Sequence, residues 1–215
     1  MRSPASERPP RTRERLPAGE RLKQIIAAAS TLISERGFWG MSIQDVADAC
    51  GMSDAGVLHH VGTKEGLLIA VLEQRDEVDL TILARMLGVP ISELRAGGDL
   101  SISLRDFCAA LVARNAQQPE IVRLYSVLNA EALNPQHPAF KYFCAREVWA
   151  TKLFASAAAG TCDPTHVARQ IFAAMDGIQL HWLRNPDINL VTEWTALAES
   201  IICPFERAAD STPQR

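Results

Sequence analysis

Ser42-Ile43-Gln44-Asp45 is spaced as a capping box, in which the serine hydroxyl accepts from the backbone three residues on and the acidic side chain reaches back. The pattern predicts a short helix over residues 43–50, and Gly51 then permits a tight turn. Ser53 is spaced to cap a second short helix over 54–60, and Thr63 a longer one running from Lys64 to about Met86. Two short helices joined by a glycine-containing turn make a helix-turn-helix unit. Its second helix can lie in the major groove of a duplex while the first crosses the phosphate backbone. Short helix pairs are common in all-α proteins, so the rest of the chain has to decide.

Other chemistry is poorly supported. His59-His60 are adjacent, so their side chains point about 100° apart on a helix, and no carboxylate or cysteine stands at ligand spacing. No metal is expected. The five cysteines (Cys50, Cys108, Cys144, Cys162, Cys203) form no CxxC pair and are odd in number, which argues against a disulfide framework or a zinc ribbon; core packing is the expected role. No Ser-His-Asp context, nucleophile elbow or phosphate loop is present, so neither an enzyme nor a bound cofactor is expected.

The formal charge of −3 looks wrong for a nucleic-acid binder until it is divided along the chain. Residues 1–66 carry 9 Lys and Arg against 8 Asp and Glu, whereas residues 67–215 carry 13 against 17. Five arginines (Arg2, Arg8, Arg11, Arg13, Arg15) lie in the first 15 residues. No apolar run is long enough to span a membrane and no secretory signal opens the chain, so a cytoplasmic protein is expected.

Residues 1–18 read as a disordered tail, with Pro4, Pro9, Pro10 and Pro17 blocking helix. Leu22, Ile25, Ile26, Ala29, Leu32 and Ile33 then recur at helical spacing, a stripe that ends at Gly37. Residues 88–101 contain Pro90 and Gly97-Gly98 and read as a loop. Ser103-x-x-Asp106 opens a helix to about Gln117, and Pro119 begins one ending near Leu133. After the Asn134-Pro135 and His137-Pro138 connector, a long helix reaches Ala159. Asp163-Pro164 opens another, to Asn185, and the last runs from about Leu190 to Glu206, with Pro204 expected to kink it or end it early. The fold class is all-α, with about nine helices and no strand signature.

Residues 21–33, the run Glu35-Arg-Gly-Phe-Trp-Gly-Met-Ser-Ile-Gln-Asp-Val-Ala-Asp-Ala-Cys-Gly-Met-Ser53, Leu58-His59-His60-Val61 and Thr63-Lys64-Glu65-Gly66-Leu67-Leu68 together resemble the N-terminal domain of the tetracycline-repressor (TetR) family. The resemblance covers residues 21–68 and rests on many spaced positions, among them Gly37, Ser42, Ala47, Gly51, His60 and Lys64. It departs from the family at Leu58, where the family usually has Tyr, and at Val61, where it has Phe. The resemblance implies a DNA-binding domain over 19–66 and an effector-binding and dimerisation domain over 67–215. It implies phosphate contacts at the helix N-termini of Ser42 and Ser53, from Lys64, and from His59 in an aromatic position, with Asp54, Ala55, Gly56, His59 and His60 at the DNA surface. Ala55 and Gly56 permit close approach, but no Arg, Asn or Gln is present for a bidentate base contact, so no operator sequence can be read. The Arg-rich tail reads equally as a minor-groove arm or as a solubilising tail.

In the C-terminal part, Phe107, Leu111, Tyr125, Leu128, Phe140, Phe143, Trp149 and Met175 are candidates to line a cavity, with Asn129, Arg146, Asp176 and Gln179 as orienting polar groups. The competing reading makes the aromatics core and pairs polar groups internally, such as Arg146 with Asp176. The last two helices carry apolar stripes, Val167, Ile171, Ala174, Met175, Ile178, Trp182 and Leu190, Trp194, Leu197, Ala198, Ile201, Phe205. The family resemblance makes these a homodimer interface; a core within one chain has the same periodicity. The expected function is therefore a homodimeric transcriptional regulator of a palindromic double-stranded operator, most simply a repressor released by a small, largely apolar or aromatic effector. The alternative is a ligand-binding or adaptor dimer that has lost DNA binding.

Overall fold

The computed structural model describes residues 17–98, 100–161 and 163–210, with side chains up to Ile202. The Arg-rich tail to residue 16, Cys162 and the side chains of Cys203 and Phe205 lie outside the described residues. Ten helices follow in order: α1 (Ala18–Gly40), α2 (Ile43–Cys50), α3 (Asp54–Val61), α4 (Lys64–Leu87), α5 (Ile91–Ala96), α6 (Leu104–Ala116), α7 (Pro119–Glu131), α8 (Phe140–Ala157), α9 (Pro164–Arg184) and α10 (Leu190–Asp210). No helix among the described residues is long and apolar enough to cross a membrane.

The caps start the helices where the local sequence places them. Ser42 and Asp45 form both halves of the capping box on α2. Ser53 Oγ accepts from Gly56 N at 3.2 Å and Thr63 Oγ1 from Gly66 N at 2.9 Å. Ser103 accepts from Asp106 N at 3.1 Å, but the Asp106 carboxylate takes the Ser103 hydroxyl rather than its backbone amide. Pro119 and Pro164 occupy first-turn positions, where the missing N–H costs nothing.

Two expectations are corrected. Residues 91–96 are helical rather than loop, because Leu94 is wholly buried and Trp149 Nε1 donates to its carbonyl at 3.2 Å, so tertiary packing stabilises a turn too short to announce itself. Pro204 does not end the last helix, which continues to Asp210; a proline inside a helix need only bend it. The cysteines divide. Cys50 and Cys108 are buried, with burial pushing the Cys108 thiol up to about 12, while Cys144 is exposed.

Two apolar cores form. The first joins Ile25, Ile26, Ala29 and Ile33 of α1 with Val46 and Ala47 of α2, Val57 of α3, Leu67, Leu68, Val71 and Leu72 of α4, and Leu124 and Leu128 of α7. The second gathers the far end of α4 (Leu83, Ala84) with α5, α6, α8, α9 and α10. Helix α4 therefore runs through both, and the first core reaches well beyond residue 66 to enclose α7. Within the stripes of α9 and α10, Val167, Ile171, Met175, Leu190, Trp194 and Ala198 are buried against this chain's own second core. Leu180 and Val191 stay exposed on the same two helices.

The α1 stripe leaves helical geometry at Gly37, whose φ of 70° and ψ of 175° lie in a region that essentially only glycine occupies. A Cβ there would stand 2.2 Å from Glu131 Oε1. Gly51 also has a positive φ, 62°, but open space around it. Gly37→Ala is thus expected to lower unfolding free energy by about 3 kcal/mol or more, strain and clash together, and Gly51→Ala by about 1–2 kcal/mol from strain alone. Urea unfolding of the two variants checks this; equal losses would remove the Glu131 contact from the explanation.

Candidate nucleic-acid interface

Of the residues of α3, Val57 alone is fully buried, pinning the helix to the first core. Ala55, Leu58 and His59 are exposed, and Asp54, Gly56 and His60 are half-buried. A side chain at Gly56 would meet Met52 Cε and Ser53 Oγ at 3.3 Å, so the turn between α2 and α3 packs closely against it. The His59 and His60 rings meet edge to face at 5.6 Å. Among the described residues no group of three His, Cys, Asp or Glu is placed to hold a metal.

Ser42 and Ser53 keep exposed side chains while capping their helices, so backbone amides at both N-termini remain next to solvent. Asp45, the partner in the box, has its carboxyl held below the usual range, chiefly by the Ser42 hydroxyl and amide and then by Arg36, whose Nη1 lies 3.5 Å away. Lys64 is half-buried, with Nζ over the Phe38 ring, 4.4 Å from its centroid. Its ammonium is thus drawn toward the end of α1 and has to share or leave that ring to meet a phosphate. Beside it, Trp39 is 61% exposed. Sequence reasoning does not find Trp39, because a Phe38-Trp39 pair between Gly37 and Gly40 has no periodicity to show which ring is buried.

The reading head is joined to the rest of the molecule through a buried polar contact. Phe38 N donates to Glu131 Oε2 at 2.9 Å, across 93 residues of sequence. The His137 side chain is wholly buried behind it, with Nε2 3.5 Å from Glu131 Oε2 and Nδ1 accepting from Ala139 N at 3.2 Å. That acceptor role puts the proton of the neutral ring on Nε2, facing the carboxylate. The rings of Phe38, Trp39 and His137 meet edge to face at 5.1, 5.3 and 5.7 Å. Desolvation holds the His137 pKa down, with Glu131 pulling the other way.

The candidate effector residues are scattered. Tyr125, Phe143 and Arg146 come together between α4, α7 and α8. Phe107 and Met175 are second-core residues with Leu111 packed against them, and Leu128 belongs to the first core. Trp149 packs on the second core near α5, Gln179 is buried, and Asn129 and Asp176 are exposed. None of these residues lines either of two surface grooves, one of about 500 Å³ between Glu77, Thr81, Arg85, Ile91 and Arg95, the other of about 250 Å³ between Lys23, Ser30, Gln74 and Glu120. Arg146 pairs with Asp76 of α4, Nε to Oδ1 at 3.4 Å, rather than with Asp176. Tyr125 donates to Asp76 Oδ1 at 2.7 Å and Tyr142 to Asp76 Oδ2. Asp76 and Tyr142 are not found from sequence; an acid inside a long helix reads as solvated surface until the helix packed on it is known.

Residues 25–71 match the bacterial regulatory proteins of the tetR family. No curated protein matches the chain. Among solved structures, a transcriptional regulator from Rhodococcus sp. Rha1 superposes with TM-score 0.66 at 19% identity, over 89% of this chain and 99% of that one. FadR from Bacillus subtilis in complex with stearoyl-CoA gives 0.66 at 14%, over 84% and 97%. AibR, in complex with isovaleryl coenzyme A and operator DNA, gives 0.57 at 21%, over 82% and 97%. At these identities the likeness is one of fold.

Because the His137 pKa is lowered on folding, the unfolded chain binds its proton more readily, and stability rises with pH across the interval from the folded value up to about 6.5. Unfolding free energy is expected to fall as pH drops below about 6.5, and His137→Gln to flatten that slope. Urea titrations at several pH values read it; an unchanged slope in the variant would assign the dependence to another group.

Proposed function

Because the chain belongs to the tetR family of bacterial regulatory proteins, we propose that it is a sequence-specific DNA-binding transcriptional regulator, without enzymatic activity, that answers to a small molecule. The observation that carries this reading is α3, which is anchored through Val57 and turns Ala55, Leu58 and His59 outward. It is a helix of eight residues on a rigid footing, small-faced where a groove floor would come close. Ser42 and Ser53 offer helix N-termini to phosphates, Lys64 a charge, and His59 and His60 polar edges; Asp54, Ala55 and Gly56 begin the face that meets the bases.

Residues 19–66 serve as the DNA-binding domain and residues 67–215 as the effector-binding and dimerisation domain. Two copies pair through α9 and α10, on whose outer sides Leu180 and Val191 are exposed, and so present two reading heads to a palindromic operator. An effector with apolar or aromatic character enters among Tyr125, Phe143, Arg146 and their neighbours. Two fold neighbours described with bound coenzyme A esters, one of them also with operator DNA, support a ligand-responsive mode. Since α4 crosses both cores, a shift of its middle moves the reading head. Repression relieved by the effector then needs a coupling of only about 1–3 kcal/mol, a 5–150-fold loss of operator affinity.

Purified protein incubated with fragmented genomic DNA at two salt concentrations is expected to retain a few fragments sharing a palindrome, more tightly at low salt. On the recovered operator, His59→Ala should weaken binding about 10-fold, and Lys64→Gln, by removing one cation from a phosphate, should reduce the salt slope by about 1. Retention of no fragment at either salt would favour an adaptor or ligand-binding dimer that no longer reads DNA.

A further inference from the structure

The group around Asp76 is built as a seat for a cation, and the protein fills it with one of its own side chains. The Asp76 carboxylate accepts from both phenols, Tyr125 to Oδ1 at 2.7 Å and Tyr142 to Oδ2. Above it the Arg146 guanidinium lies 4.7 Å from the centroid of the Tyr125 ring. Phe143 closes the side, edge to face with Tyr125 at 6.3 Å and with Tyr142 at 5.4 Å. The carboxylate takes the phenolic edges of Tyr125 and Tyr142 while the Tyr125 face lies against the guanidinium, a pairing of charge and ring quadrupole that suits ammonium and guanidinium ligands.

Arg146 occupies this seat loosely. Its one hydrogen bond to Asp76 is from Nε at 3.4 Å, well beyond the 2.7–2.9 Å or so of a strong charge-assisted bond. The two phenols keep Asp76 hydrogen-bonded when the guanidinium leaves, so its departure strands no buried acceptor. The Arg146 and Asp76 side chains keep 31% and 29% of their exposure, so solvent reaches part of the pair.

We propose that the effector of this protein carries a positively charged head, an organic ammonium or guanidinium, which displaces Arg146 from Asp76 and stacks on Tyr125. The inference rests on the effector-binding reading above and names its chemistry. An anion would meet the Asp76 carboxylate in the same place. The site also has a route to the reading head. Asp76 stands on α4, which enters the first core, and Tyr125 shares α7 with Glu131, the residue that holds the Phe38 amide.

Isothermal titration of the full chain with benzylammonium, benzyltrimethylammonium, benzyl alcohol and benzoate tests the proposal. The two cations are expected to bind at least 10-fold more tightly than the alcohol or the acid. Arg146→Met, which removes the resident competitor, should tighten the binding of the cations about 10-fold. A merely structural arginine, or one that grips an anion, would give a loss instead. Tyr125→Phe should keep most of the affinity and Tyr125→Leu should lose it, with matching thermal unfolding of the two variants as the control for folding. Alcohol or benzoate binding as tightly as the cations, a weaker Arg146→Met complex, or no binding of any probe at millimolar concentration would overturn it. Operator retention measured on the same samples separates the outcomes: retention without cation binding overturns the cation seat and leaves the regulator standing. Cation binding without retention supports the seat and removes the regulator.

Discussion

One carboxylate ties the end of α1, next to the helix-turn-helix unit, to α7. Glu131, at the end of α7, accepts the Phe38 amide and fills the space that any side chain at residue 37 would take. An ionised acceptor on a backbone amide is worth more than a neutral pair, and the buried His137 behind it limits the water that could compete. Helix α3 buries only Val57, whereas α2 buries Val46, Ala47 and Cys50, and both join the core built with α1 and α4. Helix α1, which packs on both, is held at its C-terminal end by α7. A glycine, a glutamate and a histidine, far apart in sequence, thus meet at the end of α1 that leads into the helix-turn-helix unit.

Helix α4 carries the polar groups of the middle of the molecule. On α4, Asp76 gathers Tyr125, Tyr142 and Arg146, while Asp79 gathers Arg114 at 3.0 Å and Gln118 at 3.1 Å. Gln118 is 4% exposed and also takes a bond from Arg75 at 2.7 Å. Such a network ties α4 to α6, α7 and α8 through directional contacts, whereas the apolar cores on either side constrain volume but not register. A molecule that altered the Asp76 group would act on α4 where it passes from one core to the other, and next to the helix that ends in Glu131. The Asp76 group and the helix-turn-helix unit are thus mechanically close, joined through α4 and α7.

Much of this is legible before folding. Serines and threonine at 42, 53, 63 and 103, and the prolines at 119 and 164, announce helix starts because capping is a matter of neighbours three residues apart. The α1 stripe and its break at Gly37 are equally local. Helix α5 is not legible, because six residues have no period of their own and form a helix only where Leu94 finds a core. The candidate effector residues rest on residue type, and type does not separate an aromatic that lines a site from one that fills a core. Phe107 and Leu128 are core, and Tyr125 gains its significance from Asp76, 49 residues away.

The sequence by itself therefore determined most of the helices, their caps, the helix-turn-helix unit and the resemblance to the tetR family, since each depends on contacts within a few residues or on a pattern dense enough to be matched over 25–71. Only the tertiary structure decided which acid Arg146 meets, what rests on Gly37, and that Lys64 lies over Phe38. Those contacts join residues whose separation along the chain carries no signature. Hydrogen bonds and ring contacts act over a few ångströms in space, and only the packing of α1, α4, α7 and α8 brings the partners within that reach.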